Sequence, residues 1–167
     1  DLKVIFLWFG AWKNSMSCYA PLWFKQDVKR FPRSVTETGK PLEIASAFSD
    51  NVLQADKKAF SALMRHIADT DRAEQTVIMV QVENEIGMLE SARDYSPMAD
   101  KAWKSAVPTE LLKALKIKKK GTWAEIFGTD LYAQEKFQAY YYAKYVEQLC
   151  LAAKEIYDIP LYVNAAM

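Results

Sequence analysis

The sequence predicts an α/β domain built on a parallel sheet, with elements in the order strand, helix, strand, helix, strand. Three observations carry that prediction. Residues 3–9 (Lys-Val-Ile-Phe-Leu-Trp-Phe) and 76–82 (Thr-Val-Ile-Met-Val-Gln-Val) are apolar runs rich in β-branched and aromatic residues, the pattern of strands covered on both faces. Two long stretches, about 50–70 and 131–157, repeat apolar residues at helical spacing. The connections are asymmetric: 71–75 and 158–159 lead from helix to strand, whereas 10–48 and 84–130 lead from strand to helix. In a parallel α/β fold those long segments leave the carboxyl ends of the strands, where such folds place ligand and catalytic sites.

Each element has its own justification. Ser49 or Asp50 suits the N-cap of the first helix, whose apolar stripe is Val52, Phe60, Leu63, Met64 and Ile67. The second helix carries Tyr141, Tyr145, Leu149, Ala152 and Ile156 on one stripe, and residues 160–164 (Pro-Leu-Tyr-Val-Asn) form the third strand. Within the second long connection, Pro108-Thr109-Glu110-Leu111-Leu112 starts a short helix. Thr122-Trp123-Ala124-Glu125 fits a capping box, and Gly128 suits the end of that turn. The two steps read as right-handed βαβ units. Because the chain opens and closes on strand patterns, it reads as an excerpt of a larger fold.

Composition excludes several classes. The 167 residues are 51% hydrophobic, enough for a sizeable core, and 22 basic against 21 acidic side chains leave a formal charge of +1. That balance gives no global attraction to nucleic acid or an anionic membrane. The one charge run, Lys116, Lys118, Lys119 and Lys120, has no interleaved aromatic and reads as a solvated loop. No apolar run approaches the roughly 18 residues of a membrane span. Cys18 and Cys150 form no metal-type spacing and have no basic neighbour to activate a thiolate. His66 falls on a helix away from every strand end, so it reads as a surface or packing residue.

The chemistry concentrates in Val80-Gln81-Val82-Glu83-Asn84-Glu85-Ile86-Gly87, at the carboxyl end of the second strand. Side chains alternate along a strand, which puts Gln81, Glu83 and Glu85 on one face that turns from apolar to acidic. Burying two carboxylates and an amide there is costly unless they are hydrogen-bonded or meet a ligand. Strict alternation points Asn84 away from Glu85, so both face a substrate only if the strand ends or bulges. Two readings stand on residue types alone: a general acid/base carboxylate with an adjacent substrate-holding amide, or a capped strand end whose acids meet solvent or an Arg.

Residues 81–87 resemble the signature of glycoside hydrolase family 35 β-galactosidases, Gln-Val-Glu-Asn-Glu-aromatic-Gly. The Asn-Glu pair is similar to the one that closes the fourth strand of clan A retaining glycosidases, of which family 42 carries an Asp-Asn-Glu version. The resemblance extends to residues 7–14 (Leu-Trp-Phe-Gly-Ala-Trp-Lys-Asn) and 160–166, and it implies a (β/α)8 TIM barrel whose third to fifth strands are present here, with 1–167 forming part of one catalytic domain. It implies Glu85 as general acid/base, Asn84 as the amide on the sugar 2-hydroxyl and Glu83 as a supporting group. The retaining nucleophile follows a seventh strand in the family and so is expected outside these residues.

Two positions depart from the pattern. Ile86 replaces the aromatic after the acid/base, and Trp12-Lys13-Asn14 stands where the family has an Ala-Glu-Trp that grips galactose. Trp12, Lys13 and Asn14 remain candidate sugar contacts through ring stacking and hydrogen bonds, and Asn164, at the end of the last strand, is a fourth. Trp12 and its aromatic neighbours also read as ordinary packing, and Asn164 as a turn residue. The expected partner is a carbohydrate, with self-association left open. Neither cofactor nor metal is expected, nor contact with nucleic acid or membrane. Bacterial proteins of this type are commonly exported, which makes a periplasmic or secreted location an implication of the resemblance alone. Two rival readings are a carbohydrate-binding barrel that has lost its nucleophile and an open, doubly wound domain; the second lacks a Gly-x-Gly-x-x-Gly turn.

Overall fold

A computed structural model describes residues 2–164 of the chain. In chain order the elements are β1 (Val4–Trp8), α1 (Leu22–Gln26), β2 (Arg33–Val35), β3 (Pro41–Ala45) and α2 (Asp50–Asp71), followed by β4 (Val77–Val82), α3 (Pro97–Trp103), α4 (Thr109–Ala114), α5 (Trp123–Phe127), α6 (Leu131–Lys154) and β5 (Leu161–Tyr162). β1, β4 and β5 form a parallel sheet in that order, with Ile5 opposite Met79, Leu7 opposite Gln81 and Tyr162 beyond Gln81. The predicted α/β fold with a parallel sheet is therefore present. The third strand is shorter than expected, pairing only at Leu161 and Tyr162. Ala165 and Ala166, which belong to the resembling segment 160–166, lie outside the described residues.

The two long helices pack side by side on one face of the sheet. Val52, Phe60, Met64 and Ile67 of α2, with Tyr145, Leu149 and Ala153 of α6, enclose Val80 and Val82 in one core. Ser49 accepts from the Val52 amide at 3.4 Å and Asp130 from the Ala133 amide at 2.8 Å, so both helices start on side-chain caps. Contrary to the expectation of strands covered on both faces, β1 is open among the described residues: Ile5 and Leu7 are 46% and 50% exposed and Val4 and Phe6 are exposed as well, whereas Val80, Gln81 and Val82 of the central strand β4 are buried. β1 and β5 are the sheet's two edges.

The two long connections hold more structure than the sequence suggests. The first folds into α1 and the antiparallel β2–β3 pair, whose turn includes Gly39 at φ +82°. The second holds α3, which begins on a Ser96 cap with Pro97 in its first turn, then α4 and α5. Thr122 and Glu125 complete the expected capping box, and Gly128 ends α5 at φ +90°. Asp94 ties the two connections together. Its carboxylate accepts from the Val35 amide (3.0 Å), the Ser96 amide (2.7 Å) and Ser46 Oγ (2.5 Å), while its own amide donates to Gln138 on α6 (2.8 Å).

A second core forms where this loop layer meets α6: Val107, Leu112, Trp123 and Phe137 are buried together, with Phe48 stacked on Phe137 at 5.3 Å. The lysine run after α4 is exposed, as expected of a solvated loop, and His66 is exposed on α2. Phe137 is the centre of the second core. Phe137→Ala is expected to lower unfolding stability by about 3–5 kcal/mol in urea titrations, because the cavity sits among rigid rings.

Candidate active site

The candidate site forms where the backbone leaves β4. The strand ends at Val82, and Glu83 (φ +59°) and Glu85 (φ +46°) both take left-handed backbone, with Asn84 between them. Such conformations cost about 1–3 kcal/mol each in a non-glycine residue and persist only where surroundings impose them. Their effect is to break the alternation of the strand. Glu83 does not share a face with Gln81 and Glu85 as alternation predicts; it turns back toward the helix layer, where it is fully buried beside Asp56 of α2.

Four side chains, Asn164, Ser15, Asn84 and Gln81, then lock the turn. The Glu85 amide donates to Asn164 Oδ1 at 2.9 Å, and its carbonyl accepts from Ser15 Oγ at 2.8 Å. Asn84 Nδ2 donates to the Lys13 carbonyl at 2.7 Å, while Asn84 Oδ1 accepts from Gln81 Nε2 (2.8 Å) and Asn164 Nδ2 (3.2 Å). The amide orientations follow from this chain of bonds: a backbone N–H can only donate and a carbonyl can only accept. Asn84 therefore has its oxygen fully occupied and one N–H left for a ligand. The Glu85 side chain is exposed and, among the described residues, its carboxylate makes no hydrogen bond or ion pair.

Of the sequence-predicted residues, the fold brings Asn84, Glu85, Asn164 and the Lys13 backbone together at the carboxyl ends of β1, β4 and β5. Lys13 is half-buried, with its ammonium 6.0 Å from the centre of the Tyr19 ring. Two expected sugar contacts are redirected. Trp12 is fully buried, edge-on to Tyr145 (4.9 Å) and Tyr142 (5.7 Å) of α6, so its ring is packing and out of a ligand's reach. Asn14 spends its side-chain oxygen on the Met16 and Ser17 amides and Ser17 Oγ, at 2.9–3.0 Å, and serves as a turn residue.

Beneath the loop that joins β1 to the site lies a polar group that the residue pattern did not single out. Asp56 accepts from Trp8 Nε1 and from the Tyr145 hydroxyl, each at 2.8 Å, and from the Ala11 amide at 3.3 Å. Glu83 accepts from the Trp12 amide at 2.8 Å and the Ala11 amide at 3.2 Å. Burial first, then the charge of Asp56 and the hydrogen bond to it, hold the Glu83 carboxyl well above the usual carboxylate range, against the pull of the two amides. Burial, with the two acids nearby, likewise raises the Tyr145 phenol. A visible signal was present: Asp56 interrupts the stripe Val52, Phe60, Met64 at the position where an apolar residue belongs.

Among the described residues no group of three or more His, Cys, Asp and Glu side chains is placed to hold a metal ion. An open groove of about 1080 Å3 runs beside the site between residues 86–92, α6 and β5, lined by Ile86, Leu89, Tyr142, Val146 and Tyr162 among others.

No family model and no curated protein sequence matches the chain. Among solved structures, the crystal structure of β-galactosidase from Bacillus circulans sp. alkalophilus is similar over 90% of this chain, with a TM-score of 0.58 and 14% sequence identity. The likeness is one of fold. The present chain spans 26% of that protein's chain, so an α/β arrangement with a parallel sheet is what the two share.

Gly10 gives the site its sharpest steric test. A Cβ there meets Asp56 Oδ1 at 2.1 Å and Glu83 Oε1 at 2.5 Å. Gly10→Ala is expected to destabilise the protein by about 1–3 kcal/mol, the cost of forcing an atom into a packed site. Chemical denaturation of Gly10→Ala beside Gly39→Ala, whose added Cβ meets nothing, separates this clash from backbone strain at φ +82°.

Proposed function

We propose that this chain is part of a (β/α)8-barrel glycoside hydrolase that removes terminal β-linked sugars, galactose foremost, by a retaining mechanism with Glu85 as general acid/base. One observation carries the reading. The Glu85 backbone is pinned by Asn164 on one side and Ser15 on the other, while its carboxylate stands free at the carboxyl end of a parallel strand. A proton donor to a glycosidic oxygen needs that combination, because its reach must be fixed while the carboxyl stays open to substrate and water. The β1-β4-β5 succession, which advances without reversal, and the fold likeness to a β-galactosidase support the barrel as its setting. The Gln81-Val82-Glu83-Asn84-Glu85 motif supports a place near glycoside hydrolase family 35.

In this reading a nucleophilic carboxylate from outside these 167 residues attacks the anomeric carbon as Glu85 gives its proton to the departing oxygen. Glu85 then takes a proton from the water that releases the sugar. The free N–H of Asn84 donates to the 2-hydroxyl, a bond that strengthens as positive charge builds on the ring. Lys13 offers a donor where the family pattern has the acceptor that grips galactose, so hydroxyl recognition on that side differs from the family's.

Glu85→Gln in the full protein is the test. For sugars with poor leaving groups kcat/KM is expected to fall on the order of 10²- to 10⁴-fold. The first step on activated aryl β-galactosides, which leave without a proton, is expected to change little. Equal and mild effects on both substrates would falsify the assignment, and sugar binding without turnover in the unaltered protein would favour the carbohydrate-binding barrel.

A further inference from the structure

The buried Asp56–Glu83 group takes no part in the chemistry proposed above, yet it is enclosed and built to a definite count of donors. α2 contributes Asp56, α6 contributes the Tyr145 hydroxyl, and the end of β4 contributes Glu83. From the β1 side come only the Trp8 indole and the Ala11 and Trp12 amides. Among the described residues no Lys, Arg or His side chain bonds to either acid or is a cause of the Glu83 shift.

Two ionised carboxylates enclosed together without a cation repel each other in a medium that screens them weakly, so one proton stays with the pair. The donors say where. Trp8 Nε1 and the Tyr145 hydroxyl donate to Asp56 alone and the Trp12 amide to Glu83 alone, while the single Ala11 N–H is shared between the two acids; a proton on Glu83 then adds a further donor toward Asp56. Glu83 also holds the Trp12 amide, the next residue's carbonyl holds Asn84 Nδ2, and Asn84 directly follows Glu83 in sequence.

We infer that Glu83 and Asp56 are positioning residues that share a single proton: while it is held, the 10–13 loop stays against the end of β4 and sets the Asn84 amide, and when it leaves, that setting is lost. The effect on turnover rests on the glycosidase reading, whereas the pair itself does not.

Because folding raises the proton affinity of Glu83 above its ordinary value of 4.5, its stabilising contribution is complete below about that pH. It is lost as pH rises through the folded-state value. Glu83→Gln supplies the tool, since a glutamine donates to Asp56 and accepts from the Trp12 amide without a titratable proton. The full protein and this variant are compared by thermal unfolding across pH, by the NMR signal of the Asn84 side-chain amide, and by kcat/KM on an activated aryl β-galactoside. That substrate needs no proton from Glu85, so an alkaline decline in its kcat/KM does not report the acid/base.

The expected result is a Tm advantage for Glu83→Gln that widens as pH rises. The Asn84 signal moves with pH in the wild-type chain alone. An alkaline loss of roughly ten- to a hundredfold in kcat/KM is displaced in the variant. Parallel Tm profiles overturn the shared proton, and a widening Tm gap with identical Asn84 signals overturns the positioning role. A Glu83→Gln chain that fails to fold overturns both, because the amide makes every bond assigned to the neutral acid. If the Tm and NMR responses appear but neither protein turns over the galactoside, the pair stands and the glycosidase reading falls.

Discussion

The meeting of Glu83 and Asp56 between the end of β4 and α2 is the constraint around which the rest of the site is arranged. Enclosing two acids is costly, and the protein meets that cost with four donors drawn from three places: the β1 indole of Trp8, the loop amides of Ala11 and Trp12, and the α6 hydroxyl of Tyr145. The same bonds dictate local sequence. Gly10 must lack a side chain because the carboxyl oxygens occupy the space, and Trp12 follows its amide into the core against α6. Sheet, loop and both long helices are thereby fixed to one another at the place where the backbone turns out toward Asn84 and Glu85.

A second polar anchor does the same for the loop layer. Asp94, fully buried, gathers the β2–β3 pair, the start of α3 and α6 through hydrogen bonds from Val35, Ser46 and Ser96 and to Gln138. The long connections are consequently a packed layer with a core of its own, centred on Trp123 and Phe137. The division of labour is visible: apolar stripes join helices to sheet, and buried acids that accept several hydrogen bonds join loops to that scaffold.

The long-period features were legible in the sequence. The runs at 4–8 and 77–82, the helices near 50–71 and 131–154 and the Thr122–Glu125 box all follow from periodicity and capping chemistry, which are local. The cluster Glu83-Asn84-Glu85 stood out because acids at the end of an apolar strand demand an explanation, and the need for a broken strand at Asn84 followed from alternation alone. What alternation does not encode is the direction of the break, so the inward turn of Glu83 was missed. Short β2 and β3 were also missed, because three and five residues carry too little pattern to separate strand from loop, and α3 is signalled only by Ser96-Pro97. Trp12 shows a different limit: residue type fixes what a ring can touch, whereas a neighbouring amide bound to a buried acid decides what it does touch.

The left-handed backbone at Glu85 sets conformational ease against chemical identity at a single position. Glycine adopts that geometry without steric cost, so stability alone favours glycine at position 85, and the carboxylate stands there against a backbone preference of about 1–3 kcal/mol. The residue that would relax the backbone at this turn is therefore not the one the chain carries.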